Sequence, residues 1–318
     1  MVGIRIGREL SDETLLCHKE AQKAQTRSSL WLIPLTVQSS SAIEIRLLFE
    51  SDIPAAMRLK EAAGWNQTEA DWRRLLLLQP NGCFAAVKDG RVVGTTTTTI
   101  YDELAWIGMV LVDPHYRRQG IAAKLMNVAL EYLNGKVGTI KLDATALGQP
   151  VYEKFGFAVE SVVERWSGTG SSMPRETQAV MDHETVRELL NLDRLAFNAN
   201  RSELVQTLLD DACFSPVLIR AADGALSAYA LARNGTRKTY LGPVIANDRH
   251  VIEILLDRIL SQLSPRDVYI DINRECVVDT SFLSDRGFVK ERDFIRMAKG
   301  PSQKSSPLVV AIAGPEVG

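Results

Sequence analysis

Two stretches of this chain can be laid over two later ones. "GMVLVDP" (Gly108 to Pro114) matches "GPVIAND" (Gly242 to Asp248), and "YEKFGF" (Tyr152 to Phe157) matches "LSDRGF" (Leu283 to Phe288), with similar lengths between. An internal repeat of this kind commits the chain to one supersecondary plan used twice. The 318 residues leave room for two domains, each with its own core.

Local signals spell out the plan. From Ile43, "IEIRLLF" alternates as a strand does. Ser51 or Asp52, with Pro54 in the first turn, opens a helix that Gly64 ends. Thr68 and Asp71 form a capping-box pattern before "WRRLLLL". "CFAAV" and "VVGTTTTTI" meet at Asp89-Gly90, a hairpin dipeptide, and "WIGMVLV" comes after a turn at Asp102-Glu103. A helix to about Asn134, the strand "TIKLDA", a short helix at "PVYEKF" and the strand "FAVESVV" complete the unit. The order β-α-α-β-β-β-α-β-α-β predicts a mixed sheet with helices packed on it.

These signals divide the chain. Residues 1–42 are a charged and polar extension, expected to be poorly ordered. A first domain spans 43–166, a Gly/Ser-rich linker 167–181, a second domain 182–300 and a tail 301–318.

Composition narrows the function classes. The 46% apolar and 24% charged residues are those of a soluble globular protein. A formal net charge of −2 argues against a protein that coats nucleic acid. Cys17, Cys83, Cys213 and Cys276 are far apart, and the four histidines are scattered, so no metal site or disulfide framework is expected. That usage fits a reducing, cytoplasmic compartment. The apolar run "LWLIPLTV" is too short to span a bilayer, so no membrane role is expected.

The chemistry concentrates in "DPHYRRQGIAAKLMNVALEYL" (Asp113 to Leu133). A helix N-terminus offers unpaired N–H groups and a partial positive charge to an anion. Gly120 permits close backbone approach, and Arg117 and Arg118 add charge-assisted contacts. This is neither the dinucleotide-fold nor the P-loop glycine pattern. The run "VLVDP" followed by R-x-x-G-x-A resembles the acetyl-CoA-binding motif of the GCN5-related N-acetyltransferase (GNAT) family, over about residues 43–165 and including "VYEKFGF". The second half resembles the companion domain of tandem members, down to the closing "AIAGPEVG".

The resemblance implies an α+β (mixed α/β) chain of two tandem GNAT-like domains. Each is expected to be a mostly antiparallel mixed sheet flanked by helices, with a splayed central strand pair. Met109, Val110, Leu111 and Val112 would pair by backbone with the pantetheine arm of acetyl-CoA. Arg117, Arg118, Gln119, Gly120, Ile121 and Ala122 would seat its pyrophosphate. Tyr152 stands at the family's general-acid position, against the alternative of a half-buried tyrosine closing a helix. Thr145 stands where the family often has an asparagine that contacts the pantetheine.

For the base, Glu103 is the candidate, with Asp102 beside it, weighed against ordinary turn acids. Asp143 suits a cap or turn equally well, and His115 suits the surface. Trp65, Trp72 and Trp106 could line an acceptor pocket or belong to the core. Of the threonines 95–99, only alternate members could face a cleft.

The implied activity is transfer of an acetyl group to a primary amine of a small molecule or peptide, by a monomer or homodimer without a metal. The carboxylates near the crevice favour a cationic acceptor. The alternative is a non-catalytic acyl-CoA-binding module. In the second half Arg249 alone replaces the Arg-Arg-Gln-Gly stretch and Leu283 replaces Tyr152, so one acetyl-CoA site is expected, in the first domain.

Overall fold

In the computed structural model, which describes residues 42–171, 181–212, 214–276, 279–301, 303–304 and 306–318, both halves take up the repeated plan. The first half contains β1 (Glu44–Leu47), α1 (Ile53–Ala62), α2 (Glu69–Leu78), β2 (Cys83–Lys88), β3 (Arg91–Tyr101), β4 (Leu104–Val112), α3 (Ile121–Leu133), β5 (Thr139–Ala144), α4 (Gln149–Glu153) and β6 (Ala158–Thr169). The second contains α5 (His183–Phe197), α6 (Ser202–Asp210), β7 (Val217–Arg220), β8 (Leu226–Arg233), β9 (Thr239–Ile245), α7 (Arg249–Leu263), β10 (Asp267–Asn273), α8 (Ser281–Ser284) and β11 (Val289–Lys299). A last strand, β12 (Val309–Ala311), ends the order.

Local chemistry accounts for most boundaries. The Thr68 hydroxyl accepts from the Asp71 N–H at 3.3 Å, and the Asp71 carboxylate accepts from the Thr68 N–H at 2.7 Å, so the capping box forms. Asp89 and Gly90 take φ of 51° and 73°, as a tight hairpin turn between β2 and β3 requires. Asp52 does something other than cap α1. A 3₁₀ turn (Glu50–Asp52) comes first, and the Asp52 carboxylate accepts from the Phe49 N–H and from both arms of Arg46, at 2.6 and 2.9 Å.

The strands of both halves merge into one sheet, ordered β1-β2-β3-β4-β5-β11-β6-β10-β12-β9-β8-β7. The halves have exchanged their closing strands. β11 of the second half lies on β5 of the first, β6 of the first half lies on β10 of the second, and β6 and β11 pair with each other at the centre. Each exchanged strand is pinned by a buried cross-strand ion pair, Arg296–Asp143 on one side and Arg165–Asp271 on the other.

The segment expected as a tail is part of this sheet. β9 and β10 pair in parallel only from Thr239↔Val268 to Leu241↔Ile270, and beyond that point β12 lies between them. Its sequence "VVAIA" is apolar throughout, which suits a strand buried on both faces, and Val309 to Ala313 are buried. The region expected as a linker begins inside β6, and its residues 172–180 lie outside the described ones, as do residues 1–41 of the N-terminal extension.

Helices cover both faces of the sheet. Ala105 and Ile107 of β4 pack toward α3, whereas Leu104 and Trp106 pack into a cluster with α1, α2, α5 and α6, as the two-residue strand period dictates. That second cluster runs continuously from Trp72 and Leu75 to Leu204 and Tyr229 and so belongs to both halves. Residues 42–318 accordingly form one compact unit. Among the described residues no helix is long and apolar enough to cross a membrane, and no cluster of His, Cys, Asp or Glu is arranged for a metal ion.

Candidate active site

The site begins where two parallel strands part. β4 and β5 pair from Leu104↔Thr139 to Trp106↔Lys141 and no further. β4 then carries an extra residue. Two steps along β3, from Thr97 to Thr95, correspond to three along β4, from Gly108 to Leu111. Met109 absorbs the excess with φ of 50°, a backbone state uncommon outside glycine. The bulge switches the side of the sheet on which the next residues lie, so Met109 and Leu111 join the cluster of Leu104 and Trp106 rather than that of Ile107. The Thr95 hydroxyl donates to the Met109 carbonyl at 2.8 Å and fixes the bulge.

A small cavity of about 40 Å³ opens at this wedge. Met109, Val110, Thr145 and Tyr152 line it together. Tyr152 sits edge-on to Phe157, with ring centroids 6.3 Å apart, and burial pushes its phenol up to about 12. Such a phenol keeps its proton at neutral pH. The Thr145 hydroxyl accepts from the Gly148 N–H at 3.3 Å in the turn that starts α4.

Below the wedge lies the Arg-Gly loop. Arg117, Arg118, Gln119 and Gly120 are exposed. The Arg117 Nε donates to the Val112 carbonyl at 3.4 Å, and the Gln119 side-chain oxygen accepts from Lys88 at 3.2 Å. Arg118 and Gly120 both have positive φ, 61° and 75°. No side chain caps α3, and nothing lies within 4 Å of the place a Gly120 Cβ would occupy. The first N–H groups of α3 therefore face open space at a positive helix end. Ile121 and Leu111 are buried, so these two have only backbone to offer a ligand, while Ala122 is half-buried.

Glu103 is not brought to the cavity. It lies at the start of β4, where the strands are still paired, and its carbonyl accepts from the N–H groups of Gly138 and Thr139, both at 3.0 Å. Met109 is six steps farther along the chain, roughly 20 Å at the usual strand rise. The Asp102 carboxylate accepts from the Asn200 N–H at 2.8 Å and belongs to the contact between halves. His115 is exposed in a 3₁₀ turn. Trp72 and Trp106 are core, while Trp65 lines the cavity. Threonines 95–99 are all buried, alternate members included.

Other side chains complete the cavity from afar. Arg165 comes from β6, Arg292 and Phe294 from the exchanged β11, and Pro315 and Glu316 from the segment after β12. That segment runs so close to β4 that a Cβ on Gly108 would stand 2.6 Å from the Glu316 carbonyl oxygen. Tyr101 donates to the Val317 carbonyl at 3.0 Å and Trp106 to that of Pro315 at 3.2 Å. The Glu316 carboxylate accepts from Arg233 at 3.0 Å and Gln67 at 2.8 Å. Burial holds it above its ordinary value, Asp71 adds to the shift, and Arg233 and Gln67 oppose it. Asp71 also pairs with Arg233; burial pushes it up, but Arg233, Arg74 and the Thr68 hydrogen bonds together hold it below its usual value. The apolar "VVAIAG" stretch is the one sequence signal for this strap, since a buried strand there carries the residues after it inward.

The equivalent place in the second half is closed in three ways. Asp248 caps α7, accepting from the Val251 N–H at 3.0 Å, so a carboxylate already sits at that helix end. Arg249 is engaged by Glu253 and Asp279. Leu283 is fully buried, and β12 fills the gap between β9 and β10 that corresponds to the wedge.

The first half thus joins a splayed parallel pair, a bulged strand and an uncapped helix beside it, and the second half repeats the order of elements with the corresponding place closed. Residues 48–157 match the profile of the acetyltransferase (GNAT) family, and residues 189–307 match that of an acetyltransferase (GNAT) domain. Among curated proteins, YitH of Bacillus subtilis (strain 168), described as an uncharacterized N-acetyltransferase, is 28% identical over 255 residues, covering 78% of this chain and 88% of YitH. A solved Pyrococcus horikoshii protein assigned to the acetyltransferases superposes with a TM-score of 0.75 at 22% identity, over 93% of this chain and all of the other. A tandem GNAT protein from the clavulanic acid biosynthesis pathway superposes with a TM-score of 0.59 at 15% identity, over 82% of this chain and 100% of that one. The chain belongs to the GNAT acetyltransferase family and carries two of its domains in tandem.

Proposed function

We propose that this protein transfers an acetyl group from acetyl-CoA to a primary amine of a small molecule or peptide, at one site per chain in the first half. The observation that carries the reading is the β4–β5 wedge opening beside the uncapped N-terminus of α3 with Tyr152 on its wall. The exposed loop Arg117 to Gly120 and the first N–H groups of α3, at Ile121 and Ala122, suit a pyrophosphate. From Met109 to Val112, β4 keeps β3 on one side but no longer pairs with β5 on the other, and that free edge suits main-chain pairing with a pantetheine arm, with Thr145 at hand for a further contact.

The reaction joins the amine nitrogen to the acetyl carbon and breaks the carbon–sulfur bond. Main-chain N–H groups at the Met109 bulge are suited to stabilising the oxyanion that forms between those steps. Tyr152, protonated at neutral pH, supplies the proton that the departing thiolate takes up. Two carboxyls stand on the cavity wall; Asp143 is held at two points by Arg296, so Glu316, rather than Glu103, is the one to take the amine's proton, and its raised value suits that role. Direct attack in a ternary complex needs no acyl-enzyme. We place the reaction in the cytoplasm on cysteine usage.

The test is release of CoA thiol from acetyl-CoA over a panel of amino acids, polyamines, aminoglycosides and peptide N-termini. Thiol release with at least one amine, abolished or severely reduced in Tyr152→Phe, supports the reading. Acetyl-CoA binding without thiol release from any amine, with Tyr152→Phe unchanged, would establish the non-catalytic acyl-CoA-binding module instead.

A further inference from the structure

The cavity's charges are unevenly matched. Asp143 is engaged at two points by Arg296, with both distances 2.8 Å. Glu316 is held by Arg233 and Gln67. Asp271, behind the wall, is gripped by Arg165 at 2.7 and 2.6 Å and by the Tyr240 hydroxyl at 3.0 Å. Each of these three carboxylates therefore already has a cation, and Arg165 already has its acid. A cationic acceptor would find no free counter-charge among them.

Arg292 is the exception. It lines the cavity, yet its Nε is buried with no hydrogen-bond partner, and no ion pair to it is formed among the described residues. The acids whose charge acts on it are committed elsewhere, Asp271 to Arg165 and Glu291 to Lys238 at 3.1 Å. Its guanidinium carbon and that of Arg165 both lie within 4.9 Å of the Phe294 ring centroid, so two cations share one aromatic wall. Burial first, and then the charge of Arg165, pull Arg292 below its ordinary value. A half-buried guanidinium with an orphaned donor is an unfavourable arrangement unless a ligand brings the missing anion. A planar fork with free donors is suited to a carboxylate above other groups.

We propose that the acceptor is an amine that also carries a carboxylate, which Arg292 binds while the amine faces Met109 and Tyr152. The inference rests on the acetyl-transfer reading for the amine's position. Arg292 is supplied by the second half through the exchanged β11, so the second half contributes acceptor specificity to the first half's site.

The experiment measures equilibrium binding to the full chain, with CoA present, of the twenty amino acids and a set of short peptides, each beside its C-terminal amide. At least one acid is expected to bind about 10- to 100-fold more tightly than its amide. Arg292→Gln should erase that preference, and Arg292→Lys should retain part of it, while CoA affinity is unchanged in both. Arg292→Met is expected to hold or raise the melting temperature of the ligand-free protein, because it removes an uncompensated cation. Absence of any acid-over-amide preference, or a preference that survives Arg292→Gln, overturns the proposal, as does a lower melting temperature in Arg292→Met. Thiol release is scored separately. An acid preference lost in Arg292→Gln without thiol release would remove the enzymatic reading and leave the carboxylate site standing.

Discussion

Asp143 on β5 and Arg296 on β11 are register partners joined at two points, and Arg165 on β6 and Asp271 on β10 repeat the arrangement across the centre of the sheet. In each pair one member comes from the first half and one from the second. Both pairs lie beside the exchanged strands and beneath the same cavity, so the fusion of the halves and the shape of the site depend on the same contacts.

Asp143→Asn would leave the Arg296 guanidinium buried without its anion. The expected loss is about 3–5 kcal/mol of unfolding free energy, measured by chemical denaturation. Asp143→Leu combined with Arg296→Met should recover most of it, because a matched apolar pair strands no charge. A change below about 1 kcal/mol in Asp143→Asn would mean that this pair does not hold β11 in place.

Legibility in the sequence tracks the range of the forces involved. The Thr68–Asp71 box and the Asp89-Gly90 turn are settled within four residues, and both are present. The wedge between β4 and β5 is expected only through the family resemblance, whereas the loop is legible because strand, turn and helix are contiguous there. Strand exchange is not, since β6 and β11 each read as an ordinary closing strand and only tertiary pairing decides their neighbour. β12 reads as a tail because the polar "GPSQKSSP" before it masks the apolar run. Glu316 and Arg292 reach the cavity from 164 and 140 positions beyond Tyr152, as their numbering shows. No spacing rule connects residues so far apart.

Tyr152→Phe should lower kcat by about 10²- to 10⁴-fold with little change in acetyl-CoA affinity. Because the phenol is pushed up to about 12, it remains protonated across the working range. The alkaline limb of the wild-type pH–rate profile below about pH 11 should therefore belong to another group. A limb near about pH 9 to 10 that vanishes in Tyr152→Phe would contradict this assignment.

Glu316 and Asp71 should pull stability in opposite directions with pH. The folded state holds the Glu316 proton more tightly than the unfolded chain does, whose ordinary value is 4.5. Its contribution is thus full below that value and declines as pH rises toward the folded one. Asp71 is held below its ordinary 3.8, so its contribution is present above that pH and is lost as pH falls through the folded value. Stability of the wild type minus that of Glu316→Gln should accordingly fall as pH is raised from about 4.5 in denaturant titrations. A difference that grows with pH would reverse the assigned direction.

The two helix ends make a paired test of the one-site reading. At α3, Gly120→Val places a β-branched side chain at φ of 75°, a conformation it disfavours by about 1–2 kcal/mol, in space otherwise open to a ligand. CoA affinity measured by calorimetry should drop at least about tenfold, or about 1.4 kcal/mol, beyond any loss of folded protein. At α7, Asp248→Ala removes the cap and should cost about 1 kcal/mol of stability. It should not create a second CoA site, because β12 still fills the gap between β9 and β10. A stoichiometry of one CoA per chain in the wild type and in Asp248→Ala is the expected result. Two CoA per chain in either protein would show that the second half's wedge opens, and the chain would then carry two working sites.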